Sequence, residues 1–273
     1  MKKLMDKQKL RIANLRKFTE LSAVQQANLL RKLQSNTLLT PDFANAKTAK
    51  NIGLNVLSTI LHLAPSDLSG YNVCPKASAG CRAACLNTAG RGRFESIQLA
   101  RIQKTLYWVK AREQFLQQIF AEIGKLERRA AKTGLKAVVR LNGTSDIPYE
   151  FIAINGHENI FKAFPNVQFY DYTKIFGRLP RLKANPIANY NLTFSTSETN
   201  WHECKQALEL GFNVATVFST IPETYEGYEV INGDLHDLRF TDKQGGYIVG
   251  LKAKGLAKKD TSGFVKHLVP KAA

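Results

Sequence analysis

No run in this 273-residue chain approaches the roughly 20 apolar residues that cross a bilayer, so no membrane partner is expected. The opening residues, Met1-Lys-Lys-Leu-Met-Asp-Lys-Gln-Lys9, lack the apolar core of a secretory signal, which leaves a cytoplasmic location and reduced thiols as the expectation. Neither a G-x4-G-K-[ST] phosphate loop nor a G-x-G-x-x-G turn occurs, so an ATPase or a dinucleotide enzyme lacks support. The five histidines, His62, His157, His202, His236 and His267, form no His-x-His or His-x3-His pair. Histidine-rich metal centres of the relaxase or metalloprotease kind therefore lack their ligands. Acidic residues are scarce: 22 Asp and Glu face 39 Lys and Arg, for a formal charge of +17.

That charge is unevenly placed. Residues 1–50 carry eleven basic and three acidic side chains, 91–137 eleven and four, and 241–273 seven and two. The segment 138–240 reverses the balance, with eight basic and twelve acidic. Basic outer segments around a mildly acidic centre fit a polyanion-binding surface beside a separate chemical site. Nucleic acid is the favoured polyanion, ahead of nucleotides and small anions. A high pI that serves only solubility is the plainer alternative.

What the chain does have is a cluster of thiols. Cys74, Cys81 and Cys85, three of four cysteines, share one loop at the spacing C-x6-C-x3-C. Three thiols in a reducing compartment point to a metal or iron–sulfur site rather than disulfides. Thiolates suit zinc and iron–sulfur clusters. The spacing matches neither a C-x2-C zinc pair nor a ferredoxin run, so the metal itself stays open. Chance packing of small buried cysteines is the competing reading. Cys204 reads as a buried helix residue, with a fourth ligand as the lesser option.

Residues 5–35 read as two helices, with Leu10, Ile12, Leu15 and Phe18 on one apolar face and Val24, Ala27, Leu29, Leu30 and Leu33 on the other. Ser22 is placed to cap the second. Residues 36–50 read as a polar linker, so a basic helical extension (1–48) precedes the main domain (49–273). A strand is expected over 52–63, then the cysteine loop, then one long helix or two over 94–132, with Arg101, Lys104, Arg112, Lys125, Arg128 and Arg129 on a charged face. From 136 onward short apolar strands end in polar groups: 137–141, 167–170, 191–194, 213–217, 229–231 and 247–250. This β–α rhythm predicts an α/β fold with a mostly parallel sheet. A full or partial (β/α) barrel is the first expectation, and a doubly wound open sheet the alternative.

Both architectures gather function at the carboxyl ends of strands. The candidates there are Asn142, Ser145 and Asp146 after the third stretch, Asp171 and Lys174 after the fourth, and Ser195 and Glu198 after the fifth. Asp146, Asp171, Lys174 and Glu198 are read as the acid–base or catalytic set, and Asn142, Ser145 and Ser195 as cofactor or substrate contacts. Tyr170 or Tyr172 could stack a base or act as a nucleophile. Helix-capping and strand-packing roles compete with each assignment.

Cys74-Pro through Cys81-x3-Cys85-Leu, Leu141-Asn-Gly-Thr-Ser-Asp-Ile147, Phe169-Tyr-Asp-Tyr-Thr-Lys174 and Leu192-Thr-Phe-Ser195 occur in that order. In these motifs the chain resembles the phage gene-product-88-like family of phage and plasmid proteins, some of them labelled replication proteins. The likeness spans about residues 50–255 and implies a mobile-element protein of the host cytoplasm. A wider similarity is to radical S-adenosylmethionine enzymes, which place a three-cysteine loop after the first strand of a partial barrel. It implies a [4Fe–4S] cluster on Cys74, Cys81 and Cys85 with S-adenosylmethionine as cofactor, although the spacing departs from the usual C-x3-C-x2-C. Two readings follow: an iron–sulfur enzyme acting on nucleic acid or nucleotide, and a non-enzymatic nucleic-acid-binding replication or host-takeover protein with structural zinc.

Overall fold

The computed structural model describes residues 2–41, 51 and 53–268. Two helices open it, α1 (Lys2–Arg16) and α2 (Ala23–Gln34). Ser22 starts α2 with a capping box: its hydroxyl accepts from the Gln25 N–H, and the Gln25 side chain accepts from the Ser22 N–H. Ile12, Leu15, Phe18, Leu29 and Leu33 are buried in the main apolar cluster. Leu10 and Val24, expected on those faces, instead remain 64% and 71% exposed. Two residues turn a helix by about 200°, so Leu10 lies opposite Ile12.

The expected linker begins as an edge strand, β1 (Leu39–Pro41), antiparallel to β2 (Val56–Leu61) with Leu39 opposite Leu61. Pro41 lacks an N–H for the ladder and is tolerated at an edge. Residues 42–50 lie outside the described part. The run 95–132 forms two helices, α4 (Glu95–Lys110) and α5 (Arg112–Lys132), which follow the short α3 (Ala79–Ala83) and break at Ala111, where φ is −143° and ψ 60°. Two members of the expected charged face turn inward. Arg101 is buried, and the Lys104 ammonium donates to the Leu38 carbonyl at 2.6 Å. Glu122 completes this attachment by accepting the N–H groups of Leu38 and Leu39.

The remaining strands are β3 (Lys136–Arg140), β4 (Gln168–Thr173), β5 (Tyr190–Ser195), β6 (Val214–Phe218), β7 (Thr224–Tyr225), β8 (Tyr228–Asn232) and β9 (Ile248–Lys252). Between them lie α6 (Ile160–Ala163), α7 (Arg178–Ala184) and α8 (Trp201–Glu209). Among the described residues the nine strands form one sheet in the order β1-β2-β3-β4-β5-β6-β9-β8-β7. Neighbours from β2 through β6, β9 and β8 are parallel. From β2 to β6 the strands follow chain order, and the order reverses beyond β6, where β9 lies between β6 and β8. The sheet is not closed: β1 and β7 are its two edges.

Alternation along the strands separates two faces. Ala137, Val139 and Phe169 pack with α4 and α5, while Leu192, Phe194, Val214 and Ile248 pack with α7 and α8. The opposite parity, Val138, Arg140 and Tyr170, meets the segment 237–240 between β8 and β9. Among the described residues no helix is long and apolar enough to cross a membrane.

Candidate functional site

Because β2 to β5 run parallel, the segments that follow them leave the sheet at one edge. That edge carries the cysteine loop after β2, Asn142–Asp146 after β3, Lys174 after β4 and Ser195–Glu198 after β5. Position along the sheet thus brings the sequence candidates together, and the side chains divide them into distinct jobs.

The three loop thiols are neighbours: Cys81 and Cys85 act on Cys74, and Cys81 acts on Cys85. Burial pushes the Cys74 thiol up to about 12, helped by the charges of Cys85, Asp146 and Cys81 and opposed by a backbone hydrogen bond from Ser66. Burial also raises Cys85, with Cys81 adding to the effect and Arg101 and Lys174 pulling against it. The Cys74 thiol donates to the Thr144 carbonyl at 3.5 Å, and the Cys85 sulfur accepts the Asn87 N–H at 3.5 Å. Arg101 reaches the same loop by donating to the Asn87 side chain. The cysteines are free, and among the described residues no three His, Cys, Asp or Glu side chains converge into a group that could hold a metal ion. The loop therefore presents free thiols, of which burial keeps Cys74 and Cys85 neutral, rather than a closed ligand set. Cys204 lies apart from them in its core, wholly buried on α8 with Leu208 and Phe218.

Glu198 fastens this loop. Its carboxylate accepts the Gly80 N–H at 2.6 Å and the Ser78 hydroxyl, while Ser78 also caps α3 by accepting the Cys81 N–H. Burial alone would raise the Glu198 carboxyl, but the bonds from Ser78 and Gly80 outweigh it and hold the group below its ordinary value. Glu198 also borders an open depression of about 510 Å³ that Tyr225, Lys266 and His267 help to line. A side chain at position 80 would displace its neighbours: a Cβ there would run into the Ser262 hydroxyl and lie 2.6 Å from the Glu198 Oε1, so the ends of both side chains would have to move. Gly80→Ala is expected to push Glu198 off both donors and destabilise the fold by about 1–3 kcal/mol. Faster labelling of Cys81 by a thiol reagent would accompany it, and an unchanged rate would refute the fastening role.

The other acids are committed below the edge. Asp171 is 1% exposed and accepts the backbone N–H and side-chain amide of Asn142 at 2.7 and 3.2 Å. Asn142 in turn accepts from the Ser145 hydroxyl and the Ile147 N–H, so 142–147 is a knotted turn. Asp146 accepts the Lys174 N–H and an Arg178 N–H, both at 2.8 Å. Arg178 is buried and also pairs with Glu150 and the Tyr190 hydroxyl. The Lys174 ammonium lies over the Phe264 ring at 5.5 Å, and Lys174 and Ser195 are half-buried. On the opposite face of the sheet Tyr170 donates to Asp237 at 2.7 Å, and Asp237 pairs with Arg140 at 3.2 Å. Burial raises the Tyr170 and Tyr172 phenols well above their ordinary value, which disfavours a phenolate nucleophile.

Burial pushes the Asp171 carboxyl up to about 7, against the pull of Arg140, Asn142 and Arg178. The unfolded carboxyl titrates near 3.8. Between those values the unfolded chain binds fewer protons than the folded one, so this group makes stability fall as pH rises. Asp171→Asn is expected to flatten that fall while lowering stability overall, because its amide would oppose the amide of Asn142. Urea unfolding from pH 4 to 7 checks it; an unaltered slope would assign the titration elsewhere.

Arg178, Glu150, Arg101, Ser78 and the Arg140–Asp237 pair were not singled out from sequence as site groups. Glu150 and Arg178 flank short apolar runs and look like surface charges. The hydroxyl of Ser78 three residues before Cys81 was a readable capping signal.

The arrangement is that of an open, mostly parallel α/β sheet with a thiol-bearing loop fixed at its carboxyl edge. Residues 28–268 match the family described as Gene product 88, and the chain belongs to that family. Comparison with curated proteins and with solved structures gives no match in either.

Proposed function

We propose that the cysteine-loop edge is an iron–sulfur site and that the protein is an enzyme, similar to radical S-adenosylmethionine enzymes on a partial barrel, acting on nucleic acid or nucleotide. One observation carries the reading: three half-buried free thiols, Cys74, Cys81 and Cys85, sit on the loop that follows the first parallel strand. Cys74, Cys81 and Cys85 would hold the cluster. When bound, such a cluster supplies one-electron chemistry and an open iron for a cofactor.

The chain's own residues fit an anionic cluster better than a neutral filler. Arg101 and Lys174 bring positive charge to Cys85, and the Asn87 N–H points at its sulfur. Outer groups of this kind tune thiolate sites. Since the thiols are neighbours rather than a closed set, binding is coupled to their convergence and to proton release. Glu198 keeps the loop on the edge, and Lys174 and Ser195 are the half-buried groups left to face a substrate. Asn142, Ser145, Asp146 and Asp171 act by holding the edge in shape.

A colourless zinc form would favour the second reading, a nucleic-acid-binding protein without turnover. Anaerobic purification with iron, sulfide and zinc analysis decides between them. Iron and sulfide with visible absorption support the enzyme. Zinc alone supports the binding protein, and absence of all three overturns both forms of the site.

A further inference from the structure

We propose that two basic turns beside the cysteine loop form a track for single-stranded nucleic acid, with Phe94 as its base-stacking platform. The proposal rests on the nucleic-acid part of the reading above and adds where, and in what form, the strand is held.

Residues 86–94, which include the tight turn Gly90–Arg93, lie against residues 252–259, which include the turn Gly255–Lys259. The contact is close: a Cβ on Gly255 would sit 2.9 Å from the Ala89 Cβ, and the φ of Gly255 is +57°. Beneath the turns Ala84, Ala253 and Ala257 share an apolar cluster that also touches Cys81. Two segments far apart in sequence thus become one surface beside the thiols.

The chemistry of that surface is one-sided. Together the two stretches hold six basic residues, Arg91, Arg93, Lys252, Lys254, Lys258 and Lys259, and no Asp or Glu. All six are exposed, and Lys254 pairs with Asp234 at 2.5 Å. Bordering acids are engaged: Glu95 with Lys9 at 2.9 Å, and Asp260 with the Val265 N–H and the Ser262 hydroxyl. Positive charge therefore outweighs negative along the track, which suits a phosphate backbone.

Charge alone would fit a duplex or an anionic membrane equally well. Phe94 argues for a single strand. It is 52% exposed at the end of the Gly90–Arg93 turn, and the Arg93 guanidinium lies 5.9 Å from its ring centroid. An exposed aromatic face next to cations takes an unpaired base, whereas a duplex keeps its base faces stacked internally.

Fluorescence anisotropy of the full chain would be read with labelled single-stranded DNA of about 20 nucleotides, RNA of the same sequence, the matching duplex, and vesicles of anionic lipid. Lys258→Glu with Lys259→Glu is expected to weaken single-strand binding by more than about tenfold and to reduce the salt slope by roughly one per lost phosphate contact. Phe94→Ala should weaken single-strand binding about 5- to 100-fold with the slope unchanged and the duplex unaffected. Phe94→Leu should behave as the alanine variant does, separating loss of the ring from loss of packing. Metal content measured on the same preparations should match the unmodified protein. If that protein binds but all variants bind as it does, the track is overturned and the metal reading stands. If it binds no nucleic acid, or only vesicles, both the track and the nucleic-acid part of the earlier reading fall.

Discussion

Arg178→Ala is expected to lower the unfolding free energy by about 3–5 kcal/mol, a large share of what a domain of this size has to lose. The guanidinium is 2% exposed and is the shared partner of Asp146 and Glu150, at 2.8 and 2.6 Å. It also donates to the Tyr190 hydroxyl. Truncation would leave two carboxylates buried without their cation. Lysine is not expected to rescue the site, because three partners around one planar fork need donors that a single ammonium cannot aim. The compensated variant Arg178→Met with Asp146→Asn and Glu150→Gln should recover much of the loss, since removing all the charge avoids the stranded carboxylates. Urea unfolding of the three proteins measures the series. A loss below about 1 kcal/mol for the alanine variant would mean that water already screens the triad.

The consequence reaches the edge. Asp146 also accepts the backbone N–H of Lys174, so the turn after β3 and the turn after β4 are tied through one carboxylate. Read from sequence, Asp146 and Lys174 were two candidates for chemistry. In the fold the Asp146 carboxylate accepts from Lys174 and Arg178, and Lys174 is half-buried with its ammonium over the Phe264 ring.

The strands were legible because buried parallel strands are short apolar runs, and each run from 137 to 250 has its ends within three residues of those of the strand it became. The insertion of β9 between β6 and β8 was not, since pairing partners distant in the chain leave no local mark. β1 was missed because three residues ending in proline look like a linker until Leu39 is set opposite Leu61. The cysteine loop was legible from composition alone. Its supports were hidden for a physical reason: Arg178 sits in Arg-Leu-Pro-Arg-Leu-Lys, and a buried arginine in a basic helix cannot be told from its solvated neighbours by pattern. Arg101 is concealed in the same way within α4.

For the thiols the expected result is complete loss of bound metal in each of Cys74→Ala, Cys81→Ala and Cys85→Ala, and none in Cys204→Ala. Cys204 is the internal control, since it is fully buried among Leu208 and Phe218 on α8. The loop variants should nonetheless fold. Without metal, burial keeps Cys74 and Cys85 as neutral thiols, so alanine removes a small apolar group rather than a charge. Matching far-ultraviolet circular dichroism would therefore separate ligand loss from unfolding. The same burial sets a second signature. A thiol held at about 12 gives up its proton only to a competing cation, so binding must release protons and weaken as the pH falls. Metal retained by any one of the three loop variants would show that its sulfur is packing rather than ligand, and the three-thiol site would be overturned.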